Sequence, residues 1–192
     1  MEFAFHITGI YPDWYPEEQR LKGRIKGRIG AQDFQKGVGE VILAFFEEWL
    51  DLTKIKRSRN PMGIPVKWEL PNGNSFDILT YEQATEQWEG WKGHVVWFDE
   101  PPPRDKYIAT LRGLVDMGGR CWLTLTPLKQ AWLYDEIYTK ADNEKIFVET
   151  VDMRDNTTLT EKQIKQFESS LTEEEKEARL HGRFLHLSLI HI

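Results

Sequence analysis

Cysteine is all but absent from this chain: Cys121 stands alone among 192 residues. One thiol excludes an internal disulfide framework and any metal site made only of cysteines, and it suits a reducing compartment such as the cytosol. No apolar run approaches the roughly 20 residues that cross a bilayer. The opening MEFAFHITG lacks the basic start and long apolar stretch of a secretory signal. Basic charge is scarce too: 25 Lys plus Arg against 31 Asp plus Glu give a net charge of -6. Such a chain cannot coat nucleic acid by bulk charge, so any polyanion contact must be local. The dipeptide Gly-Lys occurs nowhere, and with it the phosphate-cradling loop G-x-x-x-x-G-K-[ST] is missing from these residues.

What is present suffices for one sizeable core, since 40% of the residues are hydrophobic and eight Trp, ten Phe and six Tyr supply large rings. Phe3, Ala4 and Ile7 recur at helical spacing and Gly9 supplies the stop, so the chain opens inside a helix. The segment IYPDWYPEEQR carries two prolines that forbid a regular helix and reads as a surface loop laid down by Trp14 and Tyr15. A short strand is expected around Arg24 to Ala31. From Val38 to Leu52 the residues Val38, Val41, Ile42, Phe45, Phe46 and Trp49 fall on one side of a helix. The run KIKRSRNP follows, a basic loop holding Lys54, Lys56, Arg57 and Arg59 in an otherwise acidic chain; it is either a solvated loop or a contact for phosphates. Val66, Trp68 and Leu70 alternate with polar residues, as do Phe76, Ile78 and Thr80, and Asn72-Gly73 between them marks a protruding β-hairpin.

After a polar stretch, TYEQATEQWEGW, the chain reads HVVWFDE, an apolar run of the kind buried on both faces of a parallel sheet. PPPR then breaks the chain before a helix from Asp105 to Met117 that Gly118 and Gly119 stop. Cys121 to Leu125 is another apolar strand, Gln130 to Thr139 another helix, and Lys145 to Val151 a further strand. Thr160 to Gln163 and Thr172 to Glu175 each fit a capping box, placing two short helices at the end. Alternation of buried strands with helices predicts an α/β domain with a mainly parallel, covered sheet.

The chemistry gathers at two strand ends. Val95 to Phe98 lead into Asp99 and Glu100, and acidic residues at the carboxyl end of a buried strand stand where open α/β sheets bind ligands. A hydrophobic strand ending in Asp-Glu is the Walker B arrangement of nucleotide hydrolases, in which the Asp holds Mg²⁺ and the Glu orients and deprotonates the attacking water. Adjacent strand residues point to opposite sides, which would keep the two carboxylates apart. One helix later a second strand ends as Thr124, Leu125, Thr126, Pro127, and hydroxyls there can sense a γ-phosphate.

The block EQWEGWKGHVVWFDEPP, followed by TLRGLVDMGGRCWLTLTPL, AWLYDEIY, VDMRDN and RLHGRF, resembles the ATPase domain of the large terminase subunit of tailed bacteriophages. The resemblance runs from Met1 to Phe184 and is most specific at Trp97 to Pro102 and Thr124 to Leu128. It implies a P-loop-type fold of the RecA-like kind. It also implies a ring-shaped ATP- and Mg²⁺-dependent motor that moves double-stranded viral DNA into a procapsid, working in the host cytoplasm with a portal protein and a small terminase subunit. Carried over by motif, Asp99 positions Mg²⁺, Glu100 is the catalytic carboxylate, and Thr124 and Thr126 belong to the coupling motif. Arg112 and Arg104 are candidates for reaching phosphates, with a surface arginine as the other reading.

On that resemblance residues 1-156 are the ATPase domain without its phosphate loop, and 157-186 a helical end leading toward an absent nuclease domain. Leu187 to Ile192 read as a non-native tail, since LSLIHI looks like a translated sequencing-adapter end. An internal fragment of a longer reading frame, with an unfilled strand edge at the centre of the sheet, is the joint expectation. A helicase-like ATPase of another class and a non-catalytic interaction domain are the rival readings. Against the first, Asp99-Glu100 continue as Pro101, Pro102, Pro103, and the next strand ends Thr-Leu-Thr-Pro.

Overall fold

The computed structural model describes residues 2-128 and 130-184. The suspected tail at 187-192 lies outside the described residues. Two compact units divide the chain, one spanning Met1–Thr124 and the other Leu125–Ile192.

The first unit is a six-stranded mixed sheet with helices on both faces. The strands are β1 (Lys26–Ala31), β2 (Lys56–Arg59), β3 (Pro65–Glu69), β4 (Ser75–Thr80), β5 (Val95–Asp99) and β6 (Arg120–Thr124), in the order β2-β3-β4-β1-β5-β6. β4, β1, β5 and β6 run parallel to one another, while β2 and β3 join through antiparallel ladders. The two strands expected to carry the chemistry are therefore adjacent. Among the described residues the order is continuous from β2 to β6, and β6, next to β5, is left as an unpaired strand edge.

One face of the sheet is covered by α1 (Glu2–Thr8) and by the helix after β1. Gly27 makes room for α1, since a Cβ there would meet the Phe3 ring at 2.8 Å and Ile7 at 2.9 Å. The expected single helix from Val38 begins earlier, as a wide π-helical stretch over Phe34–Ile42 capped by Asp33. It continues as α2 (Leu43–Trp49), and Gly37 and Gly39 inside the wide stretch weaken the preference for regular α winding. Val38, Ile42 and Phe46 are fully buried, whereas Val41 and Trp49 face water. On the opposite face, α3 (Arg104–Val115) lays Tyr107 against Phe98 of β5.

The Asn72-Gly73 hairpin forms with Gly73 at φ 84°, but it does not protrude. Asn72 Nδ2 donates to the Thr8 carbonyl at 2.8 Å, and Asn74 Nδ2 donates to that of Ile7 at 2.9 Å, so the turn caps the carboxyl end of α1. The surface loop is likewise half right: Trp14 is exposed, but Tyr15 is buried against His6 and Glu2. The basic run is not a loop; Lys56–Arg59 is the edge strand β2, because β3 offers it an antiparallel partner.

The second unit holds α4 (Ala131–Glu136), α5 (Glu161–Glu168) and α6 (Glu173–Arg179), and Leu133, Ile164, Ala178 and Leu180 are buried in it. Both predicted capping boxes form at Thr160 and Thr172, and a third at Asp152. The strand expected at Lys145 to Val151 does not form. Among the described residues no ladder receives it, Phe147 and Val151 are exposed, and an unpaired extended segment has nothing to hold it as a strand.

Candidate functional site

β5 is a buried apolar strand whose carboxyl end presents Asp99, and the parallel register sets Asp99 beside Thr124 at the end of β6. Thr124 Oγ1 donates to Asp99 Oδ1 at 3.2 Å and accepts from Trp97 Nε1 at 2.7 Å. An indole N–H can only donate, so it leaves the threonine proton for the carboxylate and gives the chain of bonds one direction. Trp97 and Asp99 share a strand face, two residues apart, which is why both reach the same hydroxyl. Burial raises the pKa of Asp99 and the Glu100 charge adds to the rise, while the Thr124 bond opposes it. A carboxylate so placed is stabilised by an added cation.

Glu100 leaves the pleat. Its φ of 62° is left-handed, one of two such non-glycine residues among those described, and costs a side-chain-bearing residue roughly 1–2 kcal/mol. Glu100 thus lies past the end of β5, in a turn, and the strand alternation expected from the sequence does not extend to it. That turn is held on both sides. Glu100 N donates to the Thr124 carbonyl at 2.8 Å. The Tyr81 hydroxyl lies 2.9 Å from the carbonyls of both Asp99 and Glu100 and 3.2 Å from that of Gly30, with one proton to share among them. Burial and then the nearby Asp99 push the Tyr81 pKa far up, so it stays a donor.

Tyr81 was not singled out by sequence, where it opens a polar stretch with no signal to mark it. Gly30 is what admits it. A Cβ at that position would fall 2.7 Å from Phe98, 2.9 Å from Trp88 and 3.0 Å from Tyr81, so only a bare backbone lets these rings lie against β1.

The remaining sequence candidates divide. Arg104 stands in the first turn of α3, four residues past Glu100. Arg112 lies two turns further on, about 12 Å along the helix. It lines a cavity of about 400 Å³ with Gly90, Trp91, Lys92 and Asp116. That cavity is at the amino end of β5, where Gly93 N donates to the Gly113 carbonyl at 3.3 Å. The structure therefore separates Arg112 from Asp99 and Glu100, because α3 runs back along the strand it follows. Thr126 belongs to the second unit, where its carbonyl accepts from Leu128 N at 2.9 Å.

No group of three or more His, Cys, Asp or Glu side chains able to hold a metal exists among the described residues. Mg²⁺ does not require one, since it keeps several waters and takes one or two carboxylates together with substrate phosphates. A single half-buried carboxylate with a hydroxyl beside it fits that habit.

The family model for the terminase large subunit, T4likevirus-type, N-terminal, matches residues 1–188. The chain belongs to the terminase large subunit family. The large terminase subunit of Salmonella phage P22 is 27% identical over 214 residues, covering 94% of this chain and 43% of that protein. Among solved structures, the large terminase of a thermophilic bacteriophage superposes with a TM-score of 0.68 at 12% identity, over 86% of this chain and 42% of that one. The same protein in complex with ADP gives 0.63 at 12% identity, over 83% and 40%. The chain thus spans less than half the length of these relatives. These superpositions show that the chain shares the fold of those structures.

Proposed function

We propose that this chain is the ATPase portion of a viral DNA-packaging motor, coupling ATP hydrolysis to movement of double-stranded DNA into a procapsid. The observation that carries the reading is the juxtaposition of Asp99, Glu100 and Thr124 at two neighbouring strand ends, with Glu100 in a strained backbone state. Asp99, backed by the Thr124 hydroxyl, would hold Mg²⁺, which when bound would neutralise phosphate charge. Glu100 would accept the proton of the attacking water. Thr124 would report on the occupancy of Asp99, since its one proton is committed to that carboxylate by Trp97; Thr126, two residues on, would carry the report into the second unit. The ADP complex of the thermophilic phage relative, a large terminase of the same fold, supports the nucleotide assignment. Partnership with a portal protein and a small subunit, assembly as a ring, and a site of action in the host cytoplasm follow from the same reading.

These 192 residues contain no Gly-Lys phosphate loop. The loop's lysine and backbone amides supply most of the charge compensation for β- and γ-phosphates, whereas Asp99 and Glu100 add negative charge. We therefore propose that the chain as given turns ATP over slowly or not at all, and that a longer version carrying the loop does so readily.

Steady-state ATPase measured on both versions tests this. In the longer protein Glu100→Gln should keep nucleotide binding and lose on the order of 10²–10⁴ in turnover. Turnover by the 192-residue chain that Glu100→Gln abolishes would overturn the loop argument. A longer protein indifferent to Glu100→Gln would overturn the carboxylate assignment.

A further inference from the structure

The chain carries a net charge of -6, yet one edge of its sheet is basic. β2 reads Lys56, Arg57, Ser58, Arg59, all exposed, and it is the outermost strand. The antiparallel register sets Ser58 opposite Lys67 of β3. Lys56, two residues before Ser58, therefore shares a face with Lys67, at the diagonal spacing of roughly 7–8 Å. Arg57 goes to the other face, where its guanidinium lies 5.6 Å from the centre of the buried Trp68 ring. Arg59 donates to the carbonyl of Gly63 in the turn that follows. Glu69, opposite Lys56, is the single acidic residue on the two strands. Lys54, by contrast, is neutralised by Asp51 at 2.8 Å.

The strand directions place this edge. β2 is antiparallel to β3 and β3 to β4, so β2 runs with β4, β1 and β5. Arg59 consequently lies at the same end of the sheet as Asp99. Four strand spacings of about 4.8 Å set the two about 19 Å apart across the sheet.

We infer that the β2 edge, with Lys56, Arg57, Arg59 and Lys67, is the surface that takes the phosphate backbone of double-stranded DNA, without reading its sequence. The inference rests on the DNA-motor reading and gives that motor its contact face. Charge complementarity carries it. Four cations on two adjacent strands, against one carboxylate, make a local positive ridge on an acidic protein, and exposed edge amides add hydrogen-bond donors for phosphate oxygens.

The test is fluorescence anisotropy of the 192-residue chain with a labelled duplex of about 30 base pairs, with the salt raised from about 50 to 200 mM. Four phosphate contacts give a slope of log K against log salt of about -3.6, a loss of roughly 150-fold over that range. Lys56→Gln, Arg59→Gln and Lys67→Gln together should reduce the slope to about -0.9 and the loss to roughly fourfold. Arg57 is left in place because it rests on Trp68. Lys140→Gln, Lys162→Gln and Lys165→Gln together remove the same charge from exposed positions of the second unit and should leave the slope unchanged.

Absence of duplex binding at the lowest salt, or equal effects of the two triple variants, would overturn the inference. So would tighter binding of a single strand or of heparin than of duplex, or a dimer in sedimentation that the β2 substitutions abolish, which would make the edge a pairing surface between copies. The ATPase reading fails separately, on turnover by the longer protein, and leaves the salt slope to be judged alone.

Discussion

Replacing Glu100 by glycine and, separately, by alanine isolates the backbone strain at the candidate site. Both substitutions remove the carboxylate; only glycine also removes the Cβ that makes a φ of 62° unfavourable. The native backbone has little freedom to relax, since Glu100 N is bonded to Thr124 at 2.8 Å and Tyr81 reaches the carbonyls on either side at 2.9 Å. Left-handed residues other than glycine cost roughly 1–2 kcal/mol. Glycine loses about 0.5–1 kcal/mol more conformational entropy on folding. The glycine variant should therefore be more stable than the alanine variant by about 0.8 kcal/mol, the difference between the midpoints of those two ranges. With a urea m value of about 1–3 kcal/mol/M, the midpoints should differ by a few tenths of a molar.

Intrinsic fluorescence reads this out, because every tryptophan except Trp132 lies in the first unit. An alanine variant as stable as the glycine variant, at equal m values, would show that the turn after β5 stores no strain and would remove the structural argument for a pre-set Glu100. Neither variant should support turnover in the longer protein.

Asp77→Ala strips the partner from Arg28, whose guanidinium is almost fully buried, holds both carboxylate oxygens at 2.8 and 2.9 Å and lies 4.9 Å from the Trp91 ring centre. We expect a loss of about 3–5 kcal/mol by chemical denaturation, with Arg28→Leu/Asp77→Leu recovering most of it. Asp99→Asn should raise the melting temperature at neutral pH, since burial holds the Asp99 pKa above its ordinary value and the folded state disfavours the ionised form. That gain should shrink as pH falls into the carboxylate range and the wild-type group protonates. His6 is fully buried, stacked on Trp122, and its pKa is lowered first by burial and then by Arg120. The unfolded chain therefore binds its proton more readily, so the histidine's contribution is complete above about pH 6.5 and is lost as pH falls below that value. Wild type should lose more stability than His6→Gln between about pH 7 and 5, and parallel losses would refute the assignment.

Much of this molecule was legible because its rules are local. An apolar run leading into Asp99, an Asn-Gly turn between alternating segments, and Thr-x-x-Gln or Thr-x-x-Glu ahead of polar helices each specify structure within a few residues, and all of them formed. Asp99, Glu100, Thr124 and Thr126 stand out in the sequence as the ends of two apolar runs, while the roles proposed for them come from the resemblance to terminases. Tertiary structure decided what depends on a distant partner. Lys56–Arg59 became a strand because β3 stood beside it, and Lys145 to Val151 did not because nothing did. Arg112 was carried to the far end of β5 by the direction of α3. Tyr81 reached the site because Gly30, far back along the chain on β1, leaves space for its ring. The left-handed turn at Glu100 had no sequence signal, because its cost is local while the bonds that hold it come from β6 and from Tyr81 after β4. Periodicity and turn chemistry are written in neighbouring residues; strain and edge pairing are set by contacts that only the folded chain brings together.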